Sequence, residues 1–434
     1  MVVLVVLFAV VVVAVMVAAH WYVWRRLVRD VSRPKSVWRR TGTVLIYVFP
    51  LCAVGAQATA RSGAPFTVQQ AVAWPGYLWL ACLLYLLIAL AVGELVRPLL
   101  RAALRRRDAR AAGTGPAEPV AAEEREPSRT GARTDAEPPA AEPGSAGPAS
   151  AVPEAEHAPA PSRRLFVARA VGVGAAVAAG ATVGTGAWGV LNGPTLKHVT
   201  VPLAKLPRRG HGYRIAVVSD IHLGPVLGRA HTQRIVDRIN GAQPDLVAIV
   251  GDLVDGSVEN LGAAAEPLGT LRARHGSYFV TGNHEYFGDA REWIDHVREL
   301  GVHPMENVRK ELPWFDLAGV NDLAGEDQDE GPDYDKALGG RDTSRASVLL
   351  AHQPVMIHDA VDHGVDLQLS GHTHGGQMWP VNYLAALENP TLAGLERYGE
   401  TQLYVTRGAG AWGPPVRVGA ESDVTIVELA SKQA

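Results

Sequence analysis

The chain has 434 residues, 47% of them hydrophobic, and a formal net charge of -3. That length leaves room for more than one domain, and a near-neutral balance with no basic stripe speaks against nucleic acid as a partner. The two cysteines, Cys52 and Cys82, both lie in apolar runs, so no disulfide framework is expected.

Residues 1–24 are a nearly unbroken run of Val, Leu and Ala. A membrane span needs roughly 20 apolar residues, and this run suffices. It lacks a charged start, so it does not read as a cleaved secretory signal. Similar runs cover residues 43–60 and 74–96. Three in succession are hard to bury in a small soluble fold. Residues 1–100 therefore read as a membrane region with three transmembrane helices.

Arginine and lysine bias sets the orientation. Arg25, Arg26, Arg29, Arg33, Lys35, Arg39 and Arg40 follow the first run, and Arg97, Arg101, Arg105, Arg106, Arg107 and Arg110 follow the third. Only Arg61 lies between the second and third. The N-terminus is expected outside, and the chain after Arg97 inside. Residues 101–163 are expected to be a disordered cytoplasmic linker. From residue 113 they are rich in Ala, Pro, Glu and Gly without an aromatic residue, too little apolar surface to offset chain entropy.

Residues 164–191 form a fourth apolar run, rich in Ala and Gly. Its start, Ser162-Arg163-Arg164-Leu165-Phe166-Val167, resembles the twin-arginine export motif. That implies the twin-arginine export machinery as a partner. The alternative is an ordinary fourth span with cytoplasmic arginines. Either way the domain that follows is expected on the extracytoplasmic side of a multi-pass cell-membrane protein.

Residues 197–434 change character. Short apolar runs at 213–220 and 244–252 flank a segment with Ile235, Val236 and Ile239 at helical spacing. Further runs precede Asn283, His352 and His372, the pattern of an α/β domain. The final stretch, with its Gly/Pro turns, suggests a second sheet.

Each buried run ends in residues able to bind metal. Asp220 and His222 follow the first, Asp252 and Asp255 the second, Asn283 and His284 the third, His352 the fourth, and His372 and His374 the fifth. Ligands gather at the carboxyl ends of strands in open α/β sheets, so five strand ends should converge on one edge. His231, His275, His296, His303, His358 and His363 stand outside this pattern and are expected to be structural. Oxygen and nitrogen donors without cysteine favour Mn, Zn or Fe. The set is too large for one ion and suits two, which clamp both oxygens of an in-line phosphoryl displacement and supply hydroxide near neutral pH. Gly251, Gly282 and Gly371 sit where backbone must come close to the site.

Asp220-Ile-His222, Gly251-Asp252-Leu-Val-Asp255, Gly282-Asn283-His284-Glu285, His352 and Gly371-His372-Thr-His374 together resemble the calcineurin-like metallophosphoesterase family. The continuation Gly375-Gly376-Gln377 and the late glycine- and proline-rich stretch resemble its membrane-associated bacterial branch, often described as phosphodiesterases. The resemblance implies a four-layer αββα sandwich. It implies that Asp220, His222 and His374 bind one metal, that Asn283, His352 and His372 bind a second, and that Asp252 bridges them. It further implies that His284 protonates the leaving group or steadies the phosphoryl oxygen, and that Asp255 orients His284. No phosphate-clamping arginine can be picked out. The substrate class is then a phosphomonoester or phosphodiester, and the membrane location suggests an envelope lipid or wall polymer. The alternative is a non-catalytic envelope-binding protein with the same fold. The acidic stretch 325–335 lacks the ligand spacing of an EF-hand loop and reads as a solvated loop.

Overall fold

The computed structural model describes residues 2–112 and 163–433. Four helices in it are long and apolar enough to cross a membrane. They are α1 (Val2–Trp24), α2 (Val37–Arg61), α3 (Phe66–Ala112) and α4 (Arg163–Leu191). Ser36 caps α2 by accepting a hydrogen bond from the Arg39 amide at 3.3 Å. The first residues of the linker expected from residue 101 are helical, because α3 continues to Ala112. Ala, Leu and Arg at 101–112 are strong helix formers, so the helix outlasts its apolar stretch. Most of that linker, and Ser162 of the arginine motif, lie outside the described residues.

Ala175, Ala179 and Val183 of α4 pack against Leu83, Leu86 and Leu90 of α3. Small residues on α4 let the helices approach closely, the usual basis of helix association in lipid. Glu94, the one acidic residue of the third apolar run, pairs with Arg26 at 2.9 Å and Arg97 at 3.3 Å. It holds the helices together.

The rest of the chain forms two six-stranded sheets. One has the order β1 (Thr195–Leu203), β12 (Asp423–Ser431), β2 (Tyr213–Val218), β3 (Leu246–Val250), β4 (Ser277–Val280) and β5 (His303–Pro304). The other has the order β10 (Gly394–Tyr398), β11 (Thr401–Val405), β9 (Leu367–Ser370), β8 (Ala346–Leu350), β7 (Phe315–Gly319) and β6 (Val308–Glu311). Ile215, Val217, Val250, Phe315, Leu317, Val348 and Leu369 fill the space between the sheets. Helices α5 (Arg229–Ala242), α6 (Val258–Ala265) and α7 (Ala290–Glu299) cover the outer face of the first sheet through Ile235, Leu261 and Trp293. Helices α8 (Tyr334–Leu338) and α9 (Ile357–Asp362) cover the second through Leu338 and Ile357. The layers are therefore αββα. The inner strands are apolar on both faces because both faces are covered.

Two expectations need correcting, and one strand went unexpected. The final stretch does not belong to one sheet: β11 joins the second, while β12 returns to the first between β1 and β2. Alternation shows which face of a strand is buried, not which strand lies beside it. The nine-residue β1 gave no clear apolar signal, since most of its side chains are only partly covered. The five metal-competent ends also divide between sheets, with β2, β3 and β4 in one and β8 and β9 in the other. They converge across the two facing sheets rather than along one edge.

Candidate metal centre

Each donor sits on the turn that follows a parallel strand, and these turns have unusual backbone. Asp220, His222, Asp252, His372 and His374 all adopt positive φ, between 48° and 73°. For residues with a Cβ this conformation costs about 1 kcal/mol or more each and is kept where function or packing demands it. Gly251 has φ +79°, and a Cβ there would lie 2.5 Å from His352 Nδ1. A Cβ on Gly371 would overlap Ser219 Oγ and the Asp220 carboxylate.

Three groups of donor atoms result. Asp220, His222 and His374 form the first; His222, Asp255 and His284 the second; Asp252, His352 and His372 the third. Within each group the donor atoms lie within 4.8 Å of one another. In the first, His374 Nε2 is 3.3 Å from Asp220 Oδ1 and 3.0 Å from His222 Nε2. In the third, His352 Nε2 is 3.2 Å from Asp252 Oδ2. Asn283 Oδ1 joins this group at 2.9 Å from His372 Nδ1. All nine residues expected at the site are therefore brought together.

The donors fit a metal. His352 Nδ1 donates to the Val250 carbonyl at 2.8 Å, which leaves a lone pair on Nε2. That Nε2 is buried and makes no hydrogen bond. With Asp252 Oδ2 3.2 Å away, this lone pair faces another acceptor, an arrangement that a cation bound by both would satisfy. Asp252 Oδ2 faces both sides of the centre, 3.2 Å from His352 Nε2 and 3.7 Å from His222 Nε2.

Electrostatics follow from burial and pairing. Burial disfavours the Asp255 carboxylate, but His222 and His284 outweigh it and hold its pKa at about 2. Burial likewise opposes protonation of His222, yet Asp255 lifts its pKa to about 9. Burial and the neighbouring His352 push His372 down to about 4. Burial and the Arg417 guanidinium hold His374 well below the ordinary imidazole range, so its imidazole is neutral and able to bind a cation.

Asp255 does more than expected. Its Oδ1 accepts from His284 Nδ1 at 2.6 Å and from His222 Nδ1 at 3.0 Å. It orients the expected acid and one expected ligand together. Two further residues escaped the sequence. Glu285 is buried, and its carboxylate accepts from the amides of Gly282, Leu253 and Asp252 at 2.6, 2.8 and 3.0 Å. It pins two ligand-bearing turns to each other, and burial lifts its pKa to about 7. It stands inside the Gly-Asn-His-Glu motif, the one signal that pointed to it. Arg417 is buried behind His374, with Nη1 donating to the His374 carbonyl at 2.9 Å and Nη2 3.1 Å from its Nδ1. It braces an expected ligand. It lies 43 residues from His374, so no local pattern marks it.

None of the six histidines set aside joins a donor group among the described residues. His275, for example, stacks on Tyr213 with ring centroids 5.4 Å apart. In the acidic stretch, Glu330 pairs with Arg291, and Asp333 caps α8 by accepting from the Lys336 amide.

Residues 213–376 match the family model for calcineurin-like phosphoesterase. A metallophosphoesterase of Helicobacter pylori is 36% identical over 275 residues, 63% of this chain and 74% of that protein. One from Aquifex aeolicus is 33% identical over 238 residues, 54% of this chain and 90% of that one. A Danio rerio transmembrane protein with metallophosphoesterase domain is 42% identical over 255 residues, 56% of this chain. The matched region spans 58% of that relative's length. With the donor clusters at the ends of five strands and these relatives, the chain belongs to the calcineurin-like metallophosphoesterase family.

Proposed function

We propose that the chain is a membrane-anchored, dinuclear metal-dependent phosphoesterase that hydrolyses a phosphomonoester or phosphodiester outside the cytoplasm. The observation that carries this reading is Asp252, one carboxylate oxygen facing an imidazole on each side of the centre. In this reading Asp220, His222 and His374 hold one ion, Asn283, His352 and His372 the other, and Asp252 both. Two divalent ions, Mn, Zn or Fe, would activate water and neutralise charge on the phosphoryl oxygens.

The protein's own groups do the rest. His284 stands at the mouth, about one-tenth exposed, with Nδ1 held by Asp255. Its Nε2 is the atom to deliver a proton to the departing alcohol. Asp255 keeps that ring in place and stays ionised, because two imidazoles surround it. The turns are fixed before substrate arrives, so little reorganisation accompanies reaction.

Topology rests on the arginines. Arg26, Arg97, Arg101 and Arg164 line one cavity at one end of the helix bundle. The catalytic domain follows the opposite end of α4. Arginines inside and domain outside satisfy the charge bias. Arg163-Arg164-Leu165-Phe166 supports a twin-arginine start to α4.

The test is direct. The full chain in detergent is loaded with Mn or Zn, metals are counted per chain, and a chromogenic diester and monoester are followed. About two metals with turnover are expected. Two metals without turnover on any phosphate ester would leave a binding protein.

A further inference from the structure

The catalytic domain touches the membrane bundle beside its own mouth. Tyr85 of α3 donates to the Trp379 carbonyl at 2.9 Å. The Arg417 amide donates to the Gly186 carbonyl of α4 at 3.2 Å. Val416 is buried among side chains of α3 and α4. Four residues before Val416, Trp412 stands over the site, its ring 5.6 Å from that of His284.

The rim of this mouth is apolar and exposed. Phe287 packs on His284 at 4.8 Å between ring centroids, yet is 73% exposed. Helix α10 (Asn382–Glu388), which closely follows Trp379, buries none of its residues. Its Tyr383, Leu384 and Leu387 are 65%, 66% and 81% exposed. In water such a patch is a liability. Next to four membrane helices it matches a helix lying in the lipid interface.

An apolar groove of about 620 Å³ runs between α3 and α4. Val92, Gly93, Gly174 and Ala178 line it, and Trp379 and Val418 of the catalytic domain close one end. A larger groove, lined by Phe49, Trp79 and Val173, meets no residue of the catalytic domain. Of these two grooves, the first ends at the loops that carry His374 and Arg417.

We propose that the substrate is a membrane lipid carrying a phosphate ester. Its acyl chain occupies the α3/α4 groove, its phosphate reaches the Asp252 centre past Trp412, and α10 lies in the surrounding lipid interface. This rests on the phosphoesterase reading above and names its substrate. A wall polymer has no use for a groove of this polarity. In the reaction, water oxygen bonds to phosphorus and the bond from phosphorus to the lipid alcohol breaks. The proton lost by water is balanced by the one gained by the alcohol.

The full chain, loaded with Mn, would be placed in phosphatidylcholine vesicles containing phosphatidic acid or, separately, phosphatidylglycerol. Turnover of each lipid is compared with that of soluble nitrophenyl esters. Wild type is expected to hydrolyse one of the two lipids, which also separates monoester from diester. Ala178→Trp fills the groove from an exposed position that lines it, and Leu384→Asp/Leu387→Asp charges α10. Each should lower the ratio of lipid to soluble-ester turnover at least about tenfold, since excluded methylenes no longer contribute. Hydrolysis of soluble esters but of neither lipid would overturn the substrate and leave the phosphoesterase standing. An unchanged ratio in both variants would overturn the groove and the interface. A phosphatidic acid with a diazirine on its acyl chain gives a readout free of turnover. It should label α3 and α4 in wild type and lose that labelling in Ala178→Trp; labelling that persists would refute the seat.

Discussion

In the proposed centre, Asp252 and His284 separate two tasks, holding metal and supplying a proton. Asp252 faces imidazoles on both sides, so Asp252→Asn should lower metal content and abolish ester hydrolysis together. Atomic absorption beside a turnover assay would show both losses. His284 lies outside the proposed ligand set, so His284→Ala should keep the metals while losing about 10²- to 10⁴-fold in rate. The loss should be greatest on esters with poor leaving groups, which need the proton most. Asp255 holds both His284 and His222. Asp255→Asn should therefore lower metal affinity as well as rate, about 10- to 100-fold. A variant that lost rate alone would show that the His222 contact is idle. The donors themselves were legible because chemistry of this kind needs particular residue types at strand ends. The second role of Asp255, the brace of Arg417 and the pin of Glu285 were not, since they act through contacts that no spacing encodes.

Among the elements, α5 carries a buried weakness. His231 is fully covered, and neither ring nitrogen has a hydrogen-bond partner. Burial first, then Arg234 and Arg417, hold its pKa at about 3. The unfolded chain takes up this proton near pH 6.5 and the folded one only near 3. Stability from this group is thus complete above about pH 6.5 and is lost as pH falls toward 3. At pH 5 the loss is about 2 kcal/mol. His231→Leu should unfold at a higher temperature than wild type at pH 5, and the gap should shrink at pH 7. Paired thermal melts of the full chain at the two pH values would read this. The helix was legible from Ile235, Val236 and Ile239, which repeat on one face. The strands were legible as apolar runs, but β12 shows the limit of that signal. Its partners β1 and β2 lie more than two hundred residues away along the chain, and only packing brings them beside it.

At the scale of the whole molecule, the bundle and the catalytic domain meet through Tyr85, Gly186 and Val416. In the proposed orientation the arginine cluster at the far end of the bundle is cytoplasmic, and that meeting then lies outside. A reporter fused after residue 434 that is active only when exported should therefore be active. A signal from a cytoplasm-only reporter at the same point would reverse the orientation. Composition and periodicity were enough to separate a membrane part from an α/β part, because burial in lipid and burial between sheets each demand a distinct apolar pattern. The order of the motifs was enough to identify the family and to name the donors proposed for it. Tertiary structure alone decided that two sheets share the centre, that Asp252 stands between its halves, and that its mouth opens beside α3 and α4. Those are relations between residues far apart in the chain, and a linear pattern records which groups are present but not which of them packing brings within reach.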